Sequence, residues 1–185
     1  VLEHNEPAII MSDGTIRPGM DPATGEPLDI ISAYQLAGNP DAELRTRISA
    51  HACPGYGSCG GMFTYNTMQT FIGVVGLQPL HMVAPPSDDP RRQNEFAEQL
   101  VEYLAQMMAE GLKPRDIVQR DSIRNAVIVA LAVGGSTNAV LHTPEIARAA
   151  GFEHFWRDVM TPEEFNELSR DIVPVLTNAR PYGKY

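Results

Sequence analysis

The chain has 185 residues, 43% of them hydrophobic and 20% charged, and carries a formal net charge of −9. That length suffices for one domain with a substantial core. The acidity, with no basic stretch to offset it, argues against nucleic acid or an anionic membrane as partner.

No apolar run approaches the roughly 20 residues that span a bilayer. The opening residues, Val1 to Glu6, lack the basic-then-apolar order of a secretory signal. Two cysteines, Cys53 and Cys59, in such a chain fit a reducing compartment, here the cytoplasm. The start at Val1 and the stop at Lys184-Tyr185 read as cuts within a longer polypeptide.

In chain order, Pro7–Met11 is a short apolar run that predicts a buried strand, ended by Ser12-Asp13-Gly14. Residues 13–27 are rich in Gly, Pro, Asp and Thr and predict a long loop. A helix is expected from Pro27 to Ala37, stopped by Gly38-Asn39-Pro40, and a second over residues 41–51. After a glycine-rich turn at 52–61, apolar residues recur through Val75 with helical spacing, and Gly76 ends the pattern. Leu80–Ala84 predicts a strand closed by Pro85-Pro86. Ser87-Asp88-Asp89-Pro90 then opens a helix to Glu110 that buries Phe96, Leu100, Leu104, Met107 and Met108. Asp88 and Asp89 read as cap and solvated charge rather than a metal site.

Pro114–Val118 predicts one helical turn, and Asp121 or Ser122 caps an apolar helix from Ile123 to Val133. Gly134-Gly135 breaks it, and Ser136 caps the next helix, which runs to Ala150 and stops at Gly151. Thr161-Pro162-Glu163-Glu164 signals a further helix start, and Ile172–Leu176 a last strand. The pattern is helix-rich with a few short strands, an α/β domain with a small, mostly parallel sheet.

The chemistry concentrates in Ala52-Cys53-Pro54-Gly55-Tyr56-Gly57-Ser58-Cys59-Gly60-Gly61-Met62-Phe63-Thr64-Tyr65-Asn66-Thr67-Met68. Closely spaced glycines allow tight turns and the close approach of a bulky group. Cys59 follows that turn and is expected to open a helix, where backbone N–H groups and the helix dipole favour a thiolate. A thiolate is what a soft metal or an iron–sulfur cluster requires. The C-x5-C spacing matches neither a zinc ribbon nor a ferredoxin run. On residues alone, Cys59 is a metal ligand, a redox or nucleophilic thiol, or a buried structural cysteine. A Cys53–Cys59 disulfide would close a very short loop, so free thiols are expected.

The run from Ala52 to Gln69 resembles the signature of the dihydroxy-acid and 6-phosphogluconate dehydratase family, which includes aldonic-acid dehydratases. Pro114-Arg115-Asp116-Ile117, Gly134-Gly135-Ser136-Thr137-Asn138 with Leu141-His142, and Pro181-Tyr182-Gly183-Lys184-Tyr185 follow in the family's order. Tyr56, Tyr65 and His81–Pro86 look most similar to the xylonate dehydratase branch.

The resemblance implies a hydro-lyase that converts a sugar acid such as xylonate to a 2-keto-3-deoxy acid. The alternatives are a dihydroxy-acid dehydratase of branched-chain amino-acid synthesis and a non-catalytic truncated module; a Cys53/Cys59 redox protein is a further reading. It implies an iron–sulfur cluster, 2Fe-2S or 4Fe-4S, with Cys59 as the last of three cysteine ligands, and a nearby Mg2+. It also implies a homo-oligomer, dimer or tetramer. Residues 1–185 then form part of the cluster-binding α/β domain; the first two cluster cysteines, most Mg2+ ligands and the serine base have no counterpart here. Candidate supporting or substrate-side residues are Cys53, Ser58 (a hydrogen bond to sulfur, or a turn role), Ser136 and Thr137 (an anion cradle, or a helix break with its cap) and His142 (an active-site wall, or a satisfied core histidine). His51 and His81 carry no assignment.

Overall fold

A computed structural model describes residues 1–176. Helices dominate, and the strands differ from expectation. The described sheet has two strands, β1 (Gly19–Met20) and β2 (Pro27–Leu28), and it is antiparallel rather than parallel. Strand β1 lies within the segment expected to be loop, and β2 takes the expected start of the first helix. Asp21 explains this: its carboxylate accepts from Ala23 N (2.9 Å) and its backbone N–H donates to Glu26 O (2.8 Å), which folds 21–26 into a hairpin turn. Among the described residues, parallel pairing is confined to an isolated bridge between Thr15 and Ser58.

Helix α1 (Ile30–Gln35) starts later than expected, because Pro27 pairs in β2 and Asp29 is the cap, accepting from Ser32 N at 2.8 Å. Asp41 caps α2 (Ala42–His51) through Leu44 N. These elements enclose a small apolar cluster of Leu28, Ile48 and Ala52, against which Cys53 packs.

The main core is built by α3 (Thr64–Val74), α6 (Arg120–Ala132) and α7 (Asn138–Ala150). Helix α3 packs chiefly on α6, and α6 on α7. Phe71, Val75, Ile123, Ala126, Val127 and Ala147 meet there, joined by Phe155 of α8 (Phe155–Asp158) and by Leu168 just beyond α9 (Pro162–Glu167). Thr161 caps α9 as expected.

Three predicted strands are absent. Residues 7–11 run without a strand partner, Ile10 making one bond to Leu77 O (2.8 Å). Leu80–Met82 winds into a 3-10 turn, with Gln78 Nε2 donating to Met82 O (3.1 Å). Leu168–Ile172 forms a single π-type turn, and 173–176 continue as irregular chain. A short apolar run is strand only where a neighbouring strand pairs with it. The expected 87–110 helix divides into a 3-10 turn at Pro90–Arg92 and α4 (Glu95–Glu110). Phe96 and Met107 are buried, Leu100 and Leu104 are half-buried, and Met108 points outward. Pro114–Ile117 forms the short α5. No helix among the described residues is long and apolar enough to cross a membrane.

Candidate functional site

The turn bearing Cys59 is held from three sides. Ser58 N donates to Gly14 O (3.0 Å) and Ile16 N to Ser58 O (2.8 Å), so residues 14–16 lie alongside 58. Ser87 fastens the far side: its N–H donates to Thr15 O (2.9 Å) and its hydroxyl to Tyr56 O. Gly57 sits where these meet, at φ +133, and a Cβ there would stand 2.5 Å from Ser87 Oγ and 2.6 Å from Ile16 N. From α3, Tyr65 Oη accepts from Gly14 N (2.8 Å), and Asn66 Nδ2 donates to Cys59 O (3.0 Å) and Gly61 O (2.8 Å).

Cys59 itself is half-buried and free. It does not open the helix, since α3 begins at Thr64, five residues on. Cys53 is also free and half-buried. Burial, then the charge of Cys59, then Asp29 push its thiol above the ordinary range.

The Ser58 hydroxyl donates to both Asp13 carboxylate oxygens (3.1 Å each), an engagement with a carboxylate rather than with sulfur. Burial and Asp13 together raise Tyr65 above the usual phenol range. Behind this turn, the Arg92 guanidinium is buried and donates to Pro86 O (2.8 Å), Ser12 O (2.5 Å) and Pro85 O. It binds the 12–14 and 85–87 segments together.

The Gly134–Asn138 turn meets the start of α3. Ser136 N donates to Thr67 Oγ1 (2.9 Å), and Asn138 Nδ2 donates to Thr64 Oγ1. Gly135 permits this approach, since a Cβ there would lie 2.7 Å from Ala130 O and 2.9 Å from Thr67 Cγ2. Thr137, not Ser136, is the N-cap residue, and Ser136 Oγ accepts from Asn138 N (3.2 Å). The N–H groups of Ser136, Asn138, Ala139 and Val140 all have protein acceptors, which fits the break-and-cap reading. Ser136 and Thr137 stand at the wall of an apolar cavity of about 250 Å³ with Val127, Phe155, Trp156 and Phe165. His142 is exposed on α7, which removes the core-histidine reading. His51 hydrogen-bonds Arg47 O, and His81 the Gln99 amide. Asp89 caps the 90–92 turn through Arg91 N (3.0 Å), and Asp88 pairs with Arg17 (2.7 Å). The Pro181–Tyr185 motif lies outside the described residues.

Among the described residues, no three His, Cys, Asp or Glu side chains gather as a metal-binding group. Cys59 fits a cluster as a single thiolate donor in a glycine-rich turn. A cluster needs three or four such donors, so the others would have to come from outside this segment.

Sequence reasoning did not assign Asp13, Asn66, Gln69, Ser87 or Arg92. Asn66 and Gln69 lie in the recognised run, and their polar character inside an apolar helical pattern is the one available signal.

Comparison with known proteins places these features. The dihydroxy-acid/6-phosphogluconate dehydratase N-terminal family matches residues 1–185. A chloroplastic dihydroxy-acid dehydratase of Arabidopsis thaliana is 39% identical over 186 residues, 98% of this chain and 29% of the relative. A dihydroxy-acid dehydratase of Acaryochloris marina is 40% identical over 187 residues, covering 98% and 31%. The mitochondrial dihydroxy-acid dehydratase of Saccharomyces cerevisiae is 37% identical over 192 residues, covering 98% and 31%. The chain therefore spans about a third or less of the length of these relatives. Their names favour the dihydroxy-acid reading over the xylonate reading taken from Tyr56, Tyr65 and His81–Pro86. Matched along its whole length, with its cysteine turn and its Gly134–Asn138 turn both anchored on α3, the chain belongs to the dihydroxy-acid/6-phosphogluconate dehydratase N-terminal family.

Proposed function

We propose that this chain is the Cys59-bearing part of a longer hydro-lyase that removes water from a branched 2,3-dihydroxy acid to give a 2-keto acid. The observation that carries this is the full-length family match together with relatives named dihydroxy-acid dehydratase. When bound, an iron–sulfur cluster supplies a Lewis acid that stabilises charge on the departing hydroxyl oxygen, and Mg2+ orients the substrate carboxylate.

This segment's own contribution is positional. Cys59 offers one thiolate from a turn fixed by residues 14–16, Ser87 and α3. Cys53, whose thiol burial pushes upward, packs against the Leu28, Ile48 and Ala52 cluster as a neighbour of the turn. Ser58, through Asp13, stiffens the residue before the ligand. Ser136 and Thr137 at the cavity wall, with the exposed His142, are the substrate-side groups we assign. A single thiol does not retain a cluster, so the segment alone should be inactive. Exposed apolar side chains, Val101 and Met108 on α4 and Leu141 on α7, support burial against further chain or a second subunit of a homo-oligomer. A free cluster thiol requires a reducing compartment, and we assign the cytoplasm.

The test is to express the full-length protein anaerobically and assay 2-keto acid release from branched 2,3-dihydroxy acids, pentonates and hexonates. The highest kcat/KM is expected on a branched dihydroxy acid. A preference for a pentonate would restore the xylonate reading, and turnover of none would remove the hydro-lyase proposal.

A further inference from the structure

Between Ser58 and Phe63 the backbone leaves regular pairing. Among the described residues, the pairing with 14–16 ends at Ser58 and the α3 ladder begins with Thr67 N donating to Phe63 O. The Cys59-Gly60-Gly61 turn lies in that gap. Its two outer carbonyls, Cys59 O and Gly61 O, converge on one side chain, Asn66, whose Nδ2 donates to both (3.0 and 2.8 Å). Each amide hydrogen is thus used, and the opposite amide orientation would set Asn66 Oδ1 against two carbonyl oxygens.

Gln69 follows at the three-residue spacing that shares a helix face. Its Nε2 donates to Asn66 Oδ1 (2.6 Å), which fixes that orientation from behind. Both side chains are more than nine-tenths buried, Asn66 at 7% and Gln69 at 5% exposure. Gln69 Oε1 is buried with no donor among the described residues. Leucine of similar size would remove this unmet acceptor but leave Asn66 Oδ1 without its donor, so the exchange satisfies no more polar atoms than before. What the Gln69 amide adds at this position is the orientation of Asn66.

We propose that Asn66 and Gln69 are positioning residues for Cys59: Gln69 sets the Asn66 amide, and Asn66 clamps the carbonyls on both sides of the turn so that the thiol is presented in one direction. This rests on the reading of Cys59 as the cluster ligand. Partners that orient a ligand without touching the metal change metal retention and spectrum more than they change folding.

The experiment uses the anaerobically purified full-length holoprotein. Gln69→Leu, Asn66→Asp and Cys59→Ser are compared with wild type by the spectrum of the reduced cluster, cluster lifetime in air and Tm. Gln69→Leu is expected to leave Tm nearly unchanged, since one unmet buried acceptor replaces another, to shift the spectrum and to shorten cluster lifetime by about 10-fold. Asn66→Asp moves spectrum and lifetime the same way and further; if it does not fold, Gln69→Leu decides alone. A wild-type spectrum and lifetime in Gln69→Leu overturns the proposal, as does cluster loss that merely tracks a lowered Tm. Cys59→Ser separates the two layers. Cluster loss there beside an unaltered Gln69→Leu sinks only the positioning role, whereas a wild-type cluster in Cys59→Ser sinks the ligand reading and this inference with it.

Discussion

At the scale of single residues, the site depends on close contacts that tolerate no added atom. Gly135 lies against Ala130 O and Thr67, whose hydroxyl receives Ser136 N. Gly135→Ala is expected to destabilise the protein by about 1–3 kcal/mol through the forced shift of backbone. Thr67→Val, of nearly the same shape, leaves the Ser136 N–H without its acceptor and should cost about 1–3 kcal/mol. Urea denaturation midpoints check both, and a wild-type midpoint in either variant contradicts the packing described. On residues alone Cys59 stays open between metal ligand, reactive thiol and structural cysteine, and the proposed ligand role comes from the family resemblance of its turn. The support of that turn is not legible: Arg92 reaches Ser12, 80 residues away, and a lone arginine or amide carries no periodicity that announces a distant partner.

At the scale of elements, helices follow from local chemistry, and their caps only in part. Thr161 caps α9 where expected, whereas Gln119 rather than Asp121 or Ser122 precedes α6 and Thr137 rather than Ser136 precedes α7. Asp89 caps the Pro90–Arg92 turn, and the Arg91 side chain, then the Arg91 N–H, hold its carboxyl down from 3.8 to about 2. A depressed folded-state pKa contributes stability above the unfolded value, lost as pH falls through the folded one. Asp89→Asn should therefore lower Tm slightly at neutral pH, with the difference from wild type shrinking from about pH 4 and vanishing only below about pH 2. A difference that stays constant from neutral pH down to pH 2 would contradict the assignment. Strands were illegible for the complementary reason. Pro7–Met11 and Leu80–Ala84 have strand-like composition but no partner strand among the described residues, whereas Gly19–Met20 and Pro27–Leu28 pair because the Asp21 turn folds one onto the other. Pairing is a property of two segments, and neither composition nor period reports it.

At the scale of the whole molecule, the main core of α3, α6 and α7 positions two turns, one with Cys59 and one with Gly134–Asn138, at the same end of α3. Among the described residues no set of metal-ligating side chains gathers around the proposed ligand Cys59. Anaerobic reconstitution of the 185-residue chain with iron and sulfide should therefore yield no stable cluster, and stoichiometric uptake would refute that reading. The central claim is that the Cys59 sulfur binds iron in the complete polypeptide. Its most direct measurement is the iron and sulfide content of the anaerobically purified full-length protein, compared among wild type, Cys59→Ser and Cys53→Ser. Loss of iron and of visible colour in Cys59→Ser, with both retained in Cys53→Ser, is the predicted result; wild-type iron and colour in Cys59→Ser would contradict it.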